Sequence, residues 1–318
     1  VKICSLFPGA TEMLFAIGAG SEVVAVSHEC DWPPEVQRLP RVVRPKVDSS
    51  APAAEIDRQV RELVARGESL YALDGDLLEA LEPDLIVTQE LCHVCAASPD
   101  DLGVVLGRLS YRPQVLSLAP GRIEEIWQAM LKLGEVTGHL AAAQQAVAQL
   151  RRRADRVARV VATASRRPRV LCLEWLDPPY VGGHWVPEMV QLAGGDPVLG
   201  EPGVPSVPLS WEKVLGSQPD YVIVMPCGYS LDRAVAEYSV MKFPASWQQL
   251  PAVIQGKVYA VEANSYFSRS GPRIVDGIEI LGRILHPDVV GWSLPEHGWS
   301  RLIGYSSVEK PAETFFQR

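Results

Sequence analysis

Cys92-His93-Val94-Cys95 puts two thiols and an imidazole within four residues, a spacing that can hold a soft metal or form a redox pair. A structural zinc site needs a second pair of ligands, and His28 and Cys30 could supply it only if folding brings their loop alongside. Thioredoxin-like chemistry wants the pair at a helix N-terminus near the start of the fold, whereas here it follows a strand-like run ending at Gln89. Ligand contact or loop packing therefore ranks ahead of zinc, and zinc ahead of redox. The second concentration is His28-Glu29-Cys30-Asp31. Its two acids could act as a pair, but on a loop bounded by Pro33-Pro34 they read as solvated. His184, beside Trp185 and just ahead of a helical stretch, is expected to face a cleft. His139 and His286 flank helix ends and read as caps. Neither a nucleophile elbow nor a Ser-His-Asp order is visible, and no phosphate-binding glycine loop follows a strand.

These residues share a position relative to the elements that must carry them. Residues 1–7, 22–27 and 169–175 are short apolar runs of the kind that form buried parallel strands. Similar runs end near Gln89, Met225 and Val261. In open parallel sheets ligands bind beyond the carboxyl ends of the strands. Beyond the first strand lie Pro8-Gly9-Ala10, with Thr11 expected to cap the following helix. Beyond the second lie His28 to Trp32, and beyond Gln89 lies the Cys-His-Val-Cys loop. The remaining strand ends offer Trp175, Tyr180, His184 and Trp185, then Cys227 and Tyr229, then Asn264, Phe267 and Arg269. Aromatic rings with a few polar groups suit a bulky, flat, mostly apolar ligand with a polar rim.

The unit helix, Pro-Asp, strand occurs twice, ending in Pro83-Asp84 and in Pro219-Asp220. The runs opening at residues 1 and 169 also resemble one another, so we read an internal duplication. Between the halves, residues 140–164 lack Gly and Pro and repeat apolar positions at helical spacing: Leu140, Ala143, Val147, Leu150, Ala154, Val157, Val161. At about 1.5 Å per residue this helix would run about 37 Å. The expected fold is α/β: two Rossmann-like lobes with mostly parallel sheets joined by a single long α-helix, with the ligand cleft between them. The lobes fall at residues 1–139 and 165–290, the connecting helix at 140–164 and a tail at 291–318. A single stiff helix resists wide hinge opening, so the lobe spacing should be similar with and without ligand.

The 318 residues are 47% hydrophobic, enough for two cores, and carry a net charge of −8. Arg151-Arg152-Arg153 reads as a solvated helix face, so nucleic acid is excluded as a partner. No apolar run approaches the ~18 residues of a membrane span. With no charged-then-apolar leader ahead of Val1, a cytoplasmic protein is expected, or an extracytoplasmic one if a leader was removed.

The loop sequences SLFPGATEMLFAIGAG, VAVSHECDWPPE, EPDLIVTQELCHVCA, LEWLDPPYVGGHWVPEMVQLAGG, SWEKVLGSQPDYVIVMPCG and NSYFSRSGPRIVDGIEILGRILHP together resemble the cobalamin-binding (BtuF-like) branch of the class III ABC-transporter substrate-binding proteins. The resemblance spans roughly residues 1–290. It implies two α/β lobes holding a corrinoid between them, with Pro8, Gly9, Ala10, Trp175, Tyr180 and Trp185 at cleft-lining positions. It also implies docking of an ABC permease by an acid on each lobe, here Asp76 and Glu212, and Asp76 is shorter than the usual Glu. The Cys-His-Val-Cys and His28–Asp31 loops depart from the transport members and look like a subgroup often found without an export signal.

The expected function is therefore that of a monomeric, non-enzymatic corrinoid binder, taking cobalamin for uptake or for intracellular handling. Its ligand set is Pro8, Gly9, Ala10, His28, Gln89, Cys92, His93, Trp175, Tyr180, His184, Trp185, Asn264, Phe267 and Arg269. Gln89, Asn264 and Arg269 would meet the peripheral amides. His93 would be the cobalt ligand, with His28 or His184 as alternates, because neutral imidazole is a good donor to such metals. The alternatives are a haem or ferric-siderophore binder, and, in another class, a metal- or thiol-dependent enzyme built on Cys92, His93 and Cys95.

Overall fold

The computed structural model describes residues 1–90, 99–295 and 297–302. The first half contains β1 (Ile3–Ser5), α1 (Pro8–Ala16), β2 (Val23–Val26), β3 (Val43–Pro45), α2 (Ala53–Ala65), β4 (Tyr71–Leu73), α3 (Gly75–Leu81), β5 (Leu85–Gln89), α4 (Pro99–Leu106), β6 (Gln114–Leu118) and α5 (Ile123–Val136). The connecting helix is α6 (Leu140–Val161). The second half contains β7 (Arg169–Leu176), β8 (Pro179–Val181), α7 (Val186–Leu192), β9 (Asp196–Pro197), α8 (Trp211–Gly216), β10 (Tyr221–Val224), α9 (Leu231–Val240), α10 (Pro251–Ile254), β11 (Val258–Val261), α11 (Ala263–Tyr266), α12 (Ile274–Leu285) and β12 (Trp299–Arg301).

Two sheets result. The first is parallel, in the order β2-β1-β5-β6, with β3 and β4 forming a separate antiparallel pair. The second runs β12-β11-β10-β7-β8, with β9 beside β7; its centre is parallel and its edges β8 and β12 are antiparallel. Three strands of one sheet, β1-β5-β6, thus correspond in order to β7-β10-β11 of the other. The repeated Pro-Asp does the same work in each. The Asp84 carboxylate accepts from the Lys2 amide at 2.7 Å and that of Asp220 from the Arg169 amide at 2.8 Å, tying each central strand to its neighbour. Glu82 and Gln218, which precede the two prolines, both adopt left-handed backbone, with φ of +47° and +45°. Such a conformation is uncommon outside glycine, so its recurrence reflects one turn used twice.

Two local expectations are corrected. Thr11 does not cap α1: the helix already begins at Pro8, which needs no amide partner in a first turn, and Thr11 is buried within it, donating to Ser5 Oγ at 2.8 Å. The connecting helix ends at Val161, not at residue 164, where the Thr163 hydroxyl takes the Val160 carbonyl at 2.7 Å. The aperiodic stretch after residue 290 also supplies a strand, β12, paired with β11.

The buried face of α6 is Ala143, Val147, Leu150, Ala154, Val157 and Val161, while Leu140, at its mouth, is exposed. This face packs on α5 of the first half and on α12 of the second. One apolar cluster runs beneath it from Ile3 and Leu85 through Leu133 to Cys172, Ile223 and Ile284. Ion pairs secure the same seam: Arg151 to Glu124 at 2.5 Å, and Arg153 to Asp276 at 2.5 Å and to Glu279 at 2.7 Å. Separating the lobes would expose that shared core, which at about 25 cal/mol per Å² is costly. Small-angle scattering should therefore show a radius of gyration that changes by less than about 1 Å on adding ligand; a compaction of several ångströms would reject the stiff-strut account.

Candidate functional site

Polar contacts between the lobes join segments that follow strand ends. Gly9, just beyond β1, lies against Ser270, just beyond α11; a Cβ there would come within 2.7 Å of the Ser270 carbonyl oxygen, so no other residue fits without displacement. Arg122, at the start of α5, pairs with Glu188 of α7 at 2.6 Å. Asp31, in the loop beyond β2, accepts both terminal nitrogens of Arg269, at 2.5 and 3.0 Å. The two carboxyl edges thus face each other, as ligand sites in open α/β sheets require.

The Arg269 contact anchors a buried network. The side chain of Arg269 is 5% exposed and that of Glu12 only 1%. Arg269 donates to Glu12 at 3.3 Å, to the Glu29 carbonyl at 3.0 Å and to Asn264 Oδ1 at 3.0 Å. Arg273 adds two bonds to Glu12, at 3.0 and 2.5 Å, and its guanidinium lies 5.1 Å from the Trp32 ring centroid. Asn264 closes the ring by donating to Asp31 at 3.1 Å. The expectation that Asp31 is simply solvated is corrected in part: its side chain is half open to water, but its carboxylate also pairs with a buried guanidinium.

Two carboxyl groups here have perturbed acidity. Burial pushes Asp31 up, but hydrogen bonds and charge from Arg269, with Arg273 and Asn264, outweigh it and hold the group below the ordinary aspartate value. Glu29 is held low first by its hydrogen bond with His28, against burial. A carboxyl depressed in the folded state stabilises it above the unfolded pKa of about 4, and that contribution is lost as pH falls through the lower folded value. Urea unfolding should find Asp31→Asn less stable than the unmodified chain at pH 6, with the gap narrowing as pH falls below the unfolded carboxylate value. A gap that is unchanged at the lower pH would remove Asp31 from the account.

On the second lobe, Trp175 at the end of β7 meets Tyr229, beyond β10, edge to face with centroids 5.3 Å apart. Tyr180 sits on β8, half-buried beside it in register with Trp175. Trp185 and Phe267 are buried, and the Trp185 indole donates to the Phe267 carbonyl at 2.8 Å, so these two stand behind the cleft-facing loops. Ala10 is likewise fully buried and Pro8 is half-buried. Gln89 is buried at the end of β5. Cys92, His93 and Cys95 lie outside the described residues.

Four polar atoms in these loops are buried with no hydrogen-bond partner among the described residues: His28 Nδ1, Trp175 Nε1, His184 Nε2 and Ser268 Oγ. Buried polar atoms are nearly always paired, so these four are the atoms in the strand-end loops that could still take a hydrogen-bond partner. His184 holds a left-handed backbone (φ +51°) and its ring lies tilted against that of Trp185; burial lowers its pKa, which keeps a neutral imidazole available as a donor or a metal ligand. The other ring nitrogen of His28 meets Glu29 at 3.2 Å. Cys30 is buried with its sulfur 3.1 Å from Thr11 and 3.3 Å from Ser27, turned into the first lobe, so it does not complete a zinc site with His28. Among the described residues, no group of three His, Cys, Asp or Glu side chains could hold a metal ion.

Residues 3–264 match the family described as Periplasmic binding protein. The chain belongs to that family. Among its relatives in the periplasmic binding proteins are the Vitamin B12-binding protein of Vibrio cholerae, 26% identical over 87% of this chain and 86% of the relative, and that of Yersinia pseudotuberculosis, 25% identical over 86% and 82%. Solved structures with the same fold include a periplasmic heme binding protein from Pseudomonas aeruginosa (TM-score 0.69, 21% identity, 92% of this chain and 95% of that one) and periplasmic BtuF of Vibrio cholerae (TM-score 0.64, 24% identity, 89% and 96%). Membership corrects one expectation: a cytoplasmic location, inferred from the lack of a leader ahead of Val1, does not agree with a family of periplasmic binding proteins. Among the described residues, no helix of this periplasmic binding protein is long and apolar enough to cross a membrane.

Sequence reasoning passed over Glu12, Asp31 and Tyr229 when committing to a site. The signal for Glu12 was an acid on an otherwise apolar helix, Thr11-Glu12-Met13-Leu14, which demands a buried counter-charge. Asp76 and Glu212 are both exposed and occupy equivalent places in α3 and α8, one on each lobe.

Proposed function

We propose that this protein binds a corrinoid between its two lobes and presents it to an ABC permease, with Asp76 and Glu212 as the docking acids. The observation that carries the reading is similarity over most of the chain to proteins named for binding vitamin B12. The geometry agrees with it. A corrinoid offers amides around its rim, and Trp175 Nε1, Ser268 Oγ and His184 Nε2, which have no partner among the described residues, are groups such amides or the cobalt would satisfy. Trp175 and Tyr180 supply the apolar wall, with the buried Tyr229 ring braced against Trp175. Gln89 adds an amide donor and acceptor at a strand end, and Asn264, like Arg269, is engaged in the interlobe network. Arg269 acts through its network, since Asp31 and Glu12 already occupy its guanidinium. Binding and delivery need no covalent step, so the protein acts as a carrier and not as an enzyme.

A titration followed in the visible spectrum tests this reading. Aquocobalamin should bind one to one, with a band shift when an imidazole replaces the cobalt-bound water. His93→Ala is expected to abolish that shift, and His184→Ala to do so if the ligand is the buried imidazole instead. Binding without any shift would remove axial ligation and keep the corrinoid; binding of haem in preference to aquocobalamin would replace the corrinoid reading.

A further inference from the structure

Arg233, in the first turn of α9, crosses from the second lobe to the first. Its two terminal nitrogens donate to the carbonyls of Ser49 and Ala51, at 2.6 and 2.9 Å. Its guanidinium lies 3.8 Å from the centroid of the Tyr229 ring and also donates to the Tyr229 hydroxyl at 3.1 Å. Tyr229 is 2% exposed and is itself braced by Trp175, so the guanidinium rests on a fixed platform. Arg233 nonetheless forms no ion pair among the described residues. Its acidic neighbours are engaged elsewhere: Asp48 accepts from the Ser50 amide and hydroxyl at 2.9 and 2.6 Å, and Glu237 accepts from the Ala53 amide at 3.4 Å.

The two terminal nitrogens of the guanidinium are therefore met by two neutral oxygens on separate residues, where a carboxylate or phosphate could present two charged ones. Bonds from a guanidinium to an anion are about twice as strong as those to neutral acceptors, so an anionic group reaching this edge would displace both carbonyls. Trp175, whose Nε1 is buried without a partner among the described residues, meets the same Tyr229 ring edge to face, so one aromatic ring contacts both the guanidinium and the Trp175 indole.

We infer that Arg233 is the specificity-determining residue that reads an anionic substituent on the rim of the bound macrocycle, with Ser49 and Ala51 holding its place when no ligand is bound. The inference rests on the proposed function, and for a cobalamin the anion is the phosphodiester of the nucleotide. When the anion arrives, the link between α9 and the segment ahead of α2 opens, so exchange of partners at Arg233 accompanies loading.

The experiment compares ligands that differ at the anion. Cobalamin and cobinamide, which lacks the nucleotide, are titrated in their aquo forms into the unmodified chain, Arg233→Gln and Arg233→Lys, with urea unfolding confirming that each variant folds. Arg233→Gln should weaken cobalamin at least about tenfold and leave cobinamide within about twofold, and Arg233→Lys should fall between for cobalamin. Equal losses for both ligands, or no loss for cobalamin, overturn the inference. If the unmodified chain binds haem and neither corrinoid, the proposed function fails. Arg233 is then judged by the same criterion on haem against haem dimethyl ester, which lacks the free carboxylates. Binding of none of the four overturns both.

Discussion

Arg269→Met lowers the free energy of unfolding by about 3 kcal/mol, the range for removing one partner of a buried ion pair. Methionine keeps most of the volume, so the loss reports charge and hydrogen bonding more than a cavity. Glu12 would keep only Arg273, inside a site where its side chain is 1% exposed. Asp31, Asn264 and the Glu29 carbonyl would lose the group that gathers them from both lobes. A urea unfolding curve checks this: the midpoint should fall with an unchanged slope. A midpoint within experimental error of the unmodified chain would mean that Asp31, which is half open to water, and Glu12 contribute nothing net across the lobes. The double variant Glu12→Gln with Arg269→Met should lose less than the sum of the two single changes, because they share one interaction.

Trp175→Ala weakens ligand binding by about 2 kcal/mol, or about 30-fold in Kd, the scale of an aromatic anchor in a desolvated site. Two losses combine in that figure. The ring supplies apolar surface and the edge-to-face contact that supports Tyr229. Its indole nitrogen is a buried donor with no partner among the described residues, which a ligand acceptor would satisfy. Trp175→Phe separates them: it keeps the ring contact and deletes the donor, and its affinity should lie between those of the other two. If alanine and phenylalanine bind as tightly as tryptophan, the unpaired indole is an internal accommodation and the apolar wall lies elsewhere. Stability should move less than affinity, since Trp175 is half-buried and lies outside the main apolar clusters.

What was legible in the sequence followed from short-range physical constraints. The apolar spacing from Ala143 to Val161 gave the long helix, because one face of it had to be covered. The two Pro-Asp units gave the duplication, because a central parallel strand in each lobe begins with the same turn and the same carboxylate-to-amide bond. The carboxyl-edge rule brought Asn264 and Arg269 close to Asp31 as expected for facing lobes. What could not be read was pairing at long range. Arg269 and Asp31 are 238 positions apart, and nothing in either loop names the other. A loop with two prolines made Asp31 look solvated, and half of that was right: its carboxylate is open to water on one side and bound to a buried guanidinium on the other. Trp185 and Phe267 are grouped with the ligand by their loop positions, yet both are buried, and the Trp185 indole donates to the Phe267 backbone carbonyl. Thr11 looked like a cap because threonine often is one, but Pro8 could start the helix earlier and leave the hydroxyl to bond Ser5.

The most direct measurement is calorimetric titration of the intact, purified chain with aquocobalamin and, in parallel, with haem. The account predicts saturable one-to-one binding of aquocobalamin, at least about tenfold tighter than haem. No heat of binding with aquocobalamin, alongside tight one-to-one binding of haem, would contradict it.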